Sequence, residues 1–333
     1  MSSIFVLLAL GFILGTLTGF FGVGGGFLLT PALNVLGFSI TSAIGTGFFT
    51  LMGNSVFGVI RHHRLGNVDL RLGVTLGICS VVGVELGKRL VLHVDRLNLA
   101  GTSVRLLYIV LLVGIAVSML KVYADQRAKR HSAQTGDAAK AHGERSAVAS
   151  RITRLGVPPR IALPRSEVDA ISIWIILASG VLIGFLSGFM GIGGGVIGLP
   201  LLIYIIGVRT ITAVGTSLVL VFLTSCCGTI VYALAESVRW GPAVVILAGS
   251  LVGVQLGVSA SKYVTGVRIR VLFAVLLLIV AISVFLKEMG VTPLDSYLLL
   301  GSTGALTLTI LVPLLKKSGL LRPLHVEKSG FRE

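Results

Sequence analysis

Long apolar stretches separated by short polar connections run through the whole chain. Most of them approach the roughly 20 apolar residues that a helix needs to cross a bilayer. They cover residues 4–36, 40–60, 72–86, 106–120, 171–206, 211–235, 243–258, 271–286 and 297–315. The first and fifth are too long for one span and are rich in glycine, so we predict a glycine-broken helix or a re-entrant hairpin in each. The pattern predicts an all-α, polytopic membrane protein.

The two halves of the chain are related in sequence. GFFGVGGG at Gly19–Gly26 matches GFMGIGGG at Gly188–Gly195, an offset of 169 residues. From residue 37 the offset is 170, and it holds through VGVELG at 82–87 and VGVQLG at 252–257. Agreement over about 70 positions with one gap is more than shared hydrophobicity produces. We infer one fold unit used twice, a plan that is common in secondary transporters.

The repeat divides the chain into five parts. Each transmembrane repeat is expected to contain a broken first helix or hairpin followed by about three spans. The repeats cover 1–121 and 169–287, a basic cytoplasmic linker covers 122–168, an extra C-terminal span covers 288–315, and a basic cytoplasmic tail covers 316–333. The linker is polar and has little apolar periodicity, so we expect it to be partly disordered.

The charges of the connections predict how the repeats are oriented. Basic connections of membrane proteins prefer the cytoplasm, which places the linker, the tail and residues 262–270 inside. Residues 236–239 then lie outside, whereas the equivalent basic connection 61–71 lies inside. Equivalent loops on opposite sides are typical of inverted-topology repeats. One connection disagrees, since 88–105 is basic and yet falls outside.

The composition excludes most soluble classes of protein. Hydrophobic residues make up 54% of the chain and charged residues 12%, against roughly a quarter charged in a soluble domain. The net charge of +15 resides in the connections, so we expect contact with the lipid bilayer and none with nucleic acid. No P-loop, HExxH or CxxC motif occurs. We therefore expect no enzyme activity or catalytic residues, no cofactor and no metal site.

Candidate chemistry centres on the two glycine motifs. Their candidate substrate-binding residues are Gly22, Gly24, Gly25 and Gly26 in the first half and Gly191, Gly193, Gly194 and Gly195 in the second. Each glycine destabilises a helix by roughly 1 kcal/mol relative to alanine. We therefore interpret the motifs as breaks within the membrane, each followed by a helix whose N-terminal amides can bind an anion. The alternative is close helix packing through small residues.

Small polar residues follow each motif and extend the candidate site. We predict that Thr46, Asn54, Thr216 and Ser217 contribute to substrate binding. Thr46 and Thr216 occupy equivalent positions of the two repeats. The alternative for all four is hydrogen bonding from helix to helix, or to carbonyls of their own helix.

Ionisable residues inside the apolar stretches are few. Glu85 is a candidate for proton coupling, because an intramembrane carboxylate is usually functional. The alternative is an interfacial ion pair with Lys88 and Arg89. His62 and His63 form either a pH-sensitive element or part of a plain basic loop.

The chain resembles the TauE/SafE family of membrane permeases. The resemblance rests on the paired glycine motifs, each followed by Pro31 or Pro200 and then by A-x-G-T, at 43–46 and 213–216. It covers nearly the whole chain. The resemblance implies a secondary transporter of the cell inner membrane that exports a small anion, such as sulfite or an organosulfonate, by alternating access between the halves. An anion channel-like pore and a non-transporting scaffold subunit are the alternatives, and a homodimer is left open.

Overall fold

A computed structural model describes residues 4–133, 160–163, 168–261, 263–264, 266–291 and 294–317. Within these residues the chain forms eleven α-helices and one antiparallel hairpin of two strands. The elements of the first half are α1 (Ile4–Phe21), α2 (Gly26–Val35), α3 (Ile40–Arg64), α4 (Leu70–Arg96) and α5 (Ala100–Ala133). The hairpin pairs β1 (Arg160–Leu163) with β2 (Val168–Ser172). The second half has α6 (Ile173–Met190), α7 (Gly195–Leu201, continued by a π-helical turn over Leu202–Ile206), α8 (Thr210–Leu234), α9 (Trp240–Ser261), α10 (Gly266–Glu288) and α11 (Leu294–Lys317).

The predicted polytopic all-α architecture is confirmed. Eight of the described helices, α1, α3 to α6 and α8 to α10, are long and apolar enough to cross a membrane. Both overlong stretches are broken at their glycines. Helix α1 ends at Phe21 and helix α6 ends at Met190, and a short helix follows each break. The five-part division stays a prediction. Within the predicted linker, α5 continues to Ala133 and the hairpin precedes α6, whereas 134–159 lie outside the described residues.

The two halves are interlocked through their first and fourth helices. Helix α1 packs along α9 and helix α6 packs along α4, so the first helix of each half lies against the fourth helix of the other. A Cβ atom on Gly15 would lie 2.1 Å from the carbonyl oxygen of Ser250, and one on Gly184 would lie 2.0 Å from that of Ser80. The backbones therefore touch at glycines, as they do in small-residue helix interfaces of membranes.

The equivalent helices α3 and α8 pack against each other. The rings of Phe48 and Tyr232 lie 5.6 Å apart, near the start of α3 and the end of α8. At the other end, a Cβ on Gly58 would meet the side chain of Leu218 at 2.9 Å. The two helices therefore run antiparallel.

Candidate transport site at the paired glycine breaks

The two breaks are held open by glycines in a conformation that other residues rarely adopt. Six of them have φ between 71° and 80°, which is the left-handed region. They are Gly22, Gly24 and Gly25 in the first break and Gly191, Gly193 and Gly194 in the second. The identical pattern in both halves confirms that the motifs interrupt the helices.

The breaks lie against each other in the middle of the molecule. A Cβ on Gly26 would lie 2.5 Å from the carbonyl oxygen of Gly191, and one on Gly195 would lie 2.3 Å from that of Val23. Both breaks also contact Leu51, which stands in the middle of α3. The glycines thus serve both interpretations at once, since they break the helices and allow close packing. Helices α2 and α7 begin at this central point and run away from it.

Side-chain hydroxyls lie within hydrogen-bonding distance of carbonyl oxygens in the breaks. Ser217 Oγ donates to the carbonyl of Gly22 at 2.6 Å. In the second break, Thr30 Oγ1 donates to Gly191 at 3.4 Å. Thr224 Oγ1 lies 3.3 Å from the Gly193 carbonyl, but its shorter contact is with the carbonyl of Leu220 on its own helix. The carbonyl oxygens of Gly22 and Gly191 are therefore already used as hydrogen-bond acceptors.

The amide groups of the first break remain available. In the first turn of α2, the N–H groups of Leu28 and Leu29 donate to the carbonyl of Gly25 at 3.1 and 3.0 Å. The hydrogen bonds found among the described residues include none donated by the N–H groups of residues 23–27. A helix N-terminus leaves such amides without partners and carries a partial positive charge. The break therefore presents donors and a positive dipole end, which favour an anion.

Buried hydroxyls beside the breaks are a part of the site that sequence reasoning missed. Thr18, Ser187 and Ser225 are buried, and their hydroxyl oxygens have no hydrogen-bond partner among the described residues. Thr18 Oγ1 lies 2.6 Å from the position that a Cβ on Gly25 would take. Thr18 and Ser187 stand at the repeat offset of 169, one residue before each glycine motif. That shared position is the signal that could have identified them.

All four predicted polar residues are hydrogen-bonded to protein. Thr46 Oγ1 accepts from the N–H of Arg239, and Thr216 Oγ1 accepts from that of Asp69, both at 3.0 Å. These equivalent bonds tie α3 and α8 to the residues just before α9 and α4. Asn54 Oδ1 accepts from the hydroxyl of Ser250 on α9. Of the four predicted residues, Ser217 is bonded directly to a break. Substrate binding by this set stays a prediction.

Two ionisable side chains of the apolar stretches, Glu85 and His62, have protein partners. Glu85 pairs with Lys88 at 3.0 Å and Arg89 at 2.8 Å on its own helix, and its side chain is 31% exposed. This geometry matches the interfacial ion pair, and proton coupling by Glu85 stays a prediction. His62 Nε2 lies 3.2 Å from the carbonyl of Gly19, in the last turn of α1. Among the described residues, no three His, Cys, Asp or Glu side chains come together as metal ligands.

Interlocked helical halves, interrupted by paired breaks in mid-molecule, define a multi-pass membrane protein of the transporter class. The chain belongs to the sulfite exporter TauE/SafE family, whose profile matches residues 7–284. No solved structure matches the chain.

Similar proteins are described as membrane transporters. A "probable membrane transporter protein" of Xylella fastidiosa is 28% identical over 86% of this chain and 96% of its own length. The "probable membrane transporter protein YunE" of Bacillus subtilis is 25% identical over 84% of this chain and 96% of its own length. MJ0441 of Methanocaldococcus jannaschii, with the same description, is 28% identical over 59% of this chain and 60% of its own length. This chain is therefore a membrane transporter.

Proposed function

We propose that this transporter exports a small oxyanion from the cytoplasm, with sulfite or an organosulfonate as the substrate. The observation that carries the proposal is the polarity of the first break. Its carbonyl at Gly22 is occupied by Ser217, whereas the amides of 23–27 and the Thr18 hydroxyl are left as donors. Donors without competing acceptors suit a sulfur oxyanion. The family's description as sulfite exporters supports the same substrate class.

Export needs no fuel beyond the membrane potential in this scheme. An inside-negative potential favours the exit of each negative charge by about 2.3 kcal/mol per 100 mV. The proposed site comprises the two glycine breaks, the hydroxyls of Thr18 and Ser187, and Ser217. Thr46, Thr216 and Asn54 belong to it as residues that position α3, α8 and α9 around the breaks.

The repeats are proposed to have inverted topology and to rock against each other in alternating access. Two observations support this arrangement. The equivalent helices α3 and α8 pack antiparallel. The first helix of each half packs against the fourth helix of the other half, α1 on α9 and α6 on α4. A two-fold axis perpendicular to the helices, relating the two halves, would produce both of these packing arrangements. Opposed half-helices that begin at mid-membrane are the usual site of such transporters.

Flux through reconstituted vesicles tests the substrate proposal. We expect purified protein in liposomes to release radiolabelled sulfite in a saturable manner. Thr18→Val and Ser187→Ala should each raise the KM about tenfold or more, because a hydrogen bond to a charged group contributes roughly 1.5–3 kcal/mol. Thr75→Val is the matched control, since that hydroxyl donates within its own helix, to Arg71.

Each outcome of the flux measurement selects one class of protein. Conductance that does not saturate with sulfite concentration would indicate a channel-like pore. The absence of flux for sulfite, thiosulfate and sulfoacetate would indicate a scaffold subunit and reject the transporter of sulfur oxyanions. An unchanged KM in both hydroxyl variants would remove Thr18 and Ser187 from the site.

Thiol labelling tests the inverted topology. In a cysteine-free background, an impermeant thiol reagent added to intact cells should label Glu236→Cys but not Arg64→Cys. Both positions are exposed at the ends of the equivalent helices α8 and α3. Parallel repeats would place the two sites on the same side of the membrane, so equal labelling of both variants argues against inversion.

A further inference from the structure

A cleft lies between α2, α5 and α10, at the end of the molecule where α3 and α5 begin. Its polar lining consists of two cationic side chains, three hydroxyls and one amide, and no carboxylate is among its described lining residues. These polar residues are Thr30, Asn34, Arg105, Tyr108, Ser283 and Lys287. In the closed cleft the exposed wall is nearly all apolar, because these polar side chains are bonded to protein groups. Once the cleft opens, its cations and hydroxyl donors can form a site for an oxyanion.

The floor of the cleft reaches the second glycine break. The buried hydroxyl of Tyr108 donates to the carbonyl of Met190 at 2.9 Å, and Thr30 Oγ1 donates to that of Gly191 at 3.4 Å. Met190 is the last residue of α6, and Gly191 opens the break. The floor of the cleft therefore adjoins the second break.

An ion pair between the two halves spans the cleft. The Arg105 guanidinium on α5 is bonded to the Glu288 carboxylate on α10, and both side chains are about three-quarters buried. Lys287 Nζ donates to the carbonyl of Asn34 at 3.3 Å. The closed cleft has room for about one water molecule. An anion can pass only when α5 and α10 separate.

We propose that Arg105, with Lys287 beside it, is the exit site for the exported oxyanion, which replaces the Glu288 carboxylate as the partner of Arg105 at the outer end of the path. The proposal rests on the proposed function. Separating α5 from α10 breaks the ion pair, and a guanidinium left alone in a largely buried place is unfavourable. A sulfur oxyanion presents oxygens to the guanidinium fork as a carboxylate does. The Arg105–Glu288 pair thereby keeps the empty path closed, and the substrate offsets the loss of the pair when the path opens.

Substrate affinity and flux are the two measurements. Arg105→Gln should weaken sulfite binding to the detergent-solubilised protein, and raise the KM for flux, by about tenfold. Glu288→Gln should do the opposite, because it removes the competing carboxylate. Arg96→Gln is the matched control, an exposed arginine near the same end that does not line the cleft. It should change neither quantity.

A charge exchange separates anion binding from a structural role. Arg105→Glu combined with Glu288→Arg should restore the melting temperature lost in Arg105→Gln but leave the KM high, because the cation then projects from α10. A restored KM in the exchange variant would overturn the proposal, as would equal KM values for Arg105→Gln and Arg96→Gln. If wild type binds sulfite with an Arg105-dependent affinity but shows no flux, transport fails and the anion site stands. If wild type transports sulfite with no dependence on Arg105, the exit site fails and transport stands.

Discussion

Valine at Gly25 or Gly194 is expected to lower anion flux by about 100-fold or more, in line with the cost of small misplacements at an active site. Both glycines cap the half-helices with left-handed backbone, at φ 78° and 80°. A β-branched residue there is strained by about 1–3 kcal/mol. Its Cβ would also lie 2.6 Å from Thr18 Oγ1 or 2.9 Å from the Ile183 side chain. The first turn of each half-helix would have to move away from the site.

The control for this effect is Gly37→Val. Gly37 has φ 92° in a connection, and a Cβ there would meet nothing within 4 Å. It carries the same backbone strain without the crowded contact, so it should lower expression modestly and keep flux per folded molecule. Unchanged expression and flux in both Gly25→Val and Gly194→Val would refute the assignment of the breaks to the transport path.

Leucine at Gly15 or Gly184 is expected to remove most of the folded protein. The added Cβ would lie 2.1 or 2.0 Å from a backbone carbonyl oxygen of the facing helix, and neither backbone can move without opening the interlock. Overpacking of this kind costs about 1–3 kcal/mol where the neighbour is a flexible side chain, and more where it is backbone. The yield of monodisperse protein after detergent extraction, and its melting temperature, measure the loss.

Gly114→Leu is the matched control for the interlock. Gly114 lies within helix α5, and a Cβ there would meet nothing within 4 Å. Both changes replace a helical glycine, and this replacement by itself stabilises a helix by roughly 1 kcal/mol. Equal yields of Gly114→Leu and Gly184→Leu would show that the contact of α6 with α4 is not needed for folding.

The sequence anticipated the interruptions of the helices because glycine acts locally. A run such as Gly24–Gly26 weakens a helix wherever it occurs, and its repetition in the second half made packing alone an insufficient account. The sequence did not reveal that the two breaks touch, since Gly26 and Gly191 are far apart along the chain. It also did not show which backbone groups of the breaks are already hydrogen-bonded. The hydroxyl of Ser217 occupies the Gly22 carbonyl through a contact that spans 195 residues.

Sequence alone determined the eight spans α1, α3 to α6 and α8 to α10, the repeat and the two breaks, because each follows from the hydrophobicity, identity or backbone freedom of neighbouring residues. Only the tertiary structure decided which helices interlock and where each hydroxyl points. Thr46 and Thr216 illustrate the difference. Their equivalence was evident in the repeat, but their bonds to the N–H groups of Arg239 and Asp69 depend on how the two halves pack. Similar small residues line many helix faces, so the hydrophobic pattern does not show which helices pack together. The pairing of helices is determined by backbone contacts at glycines.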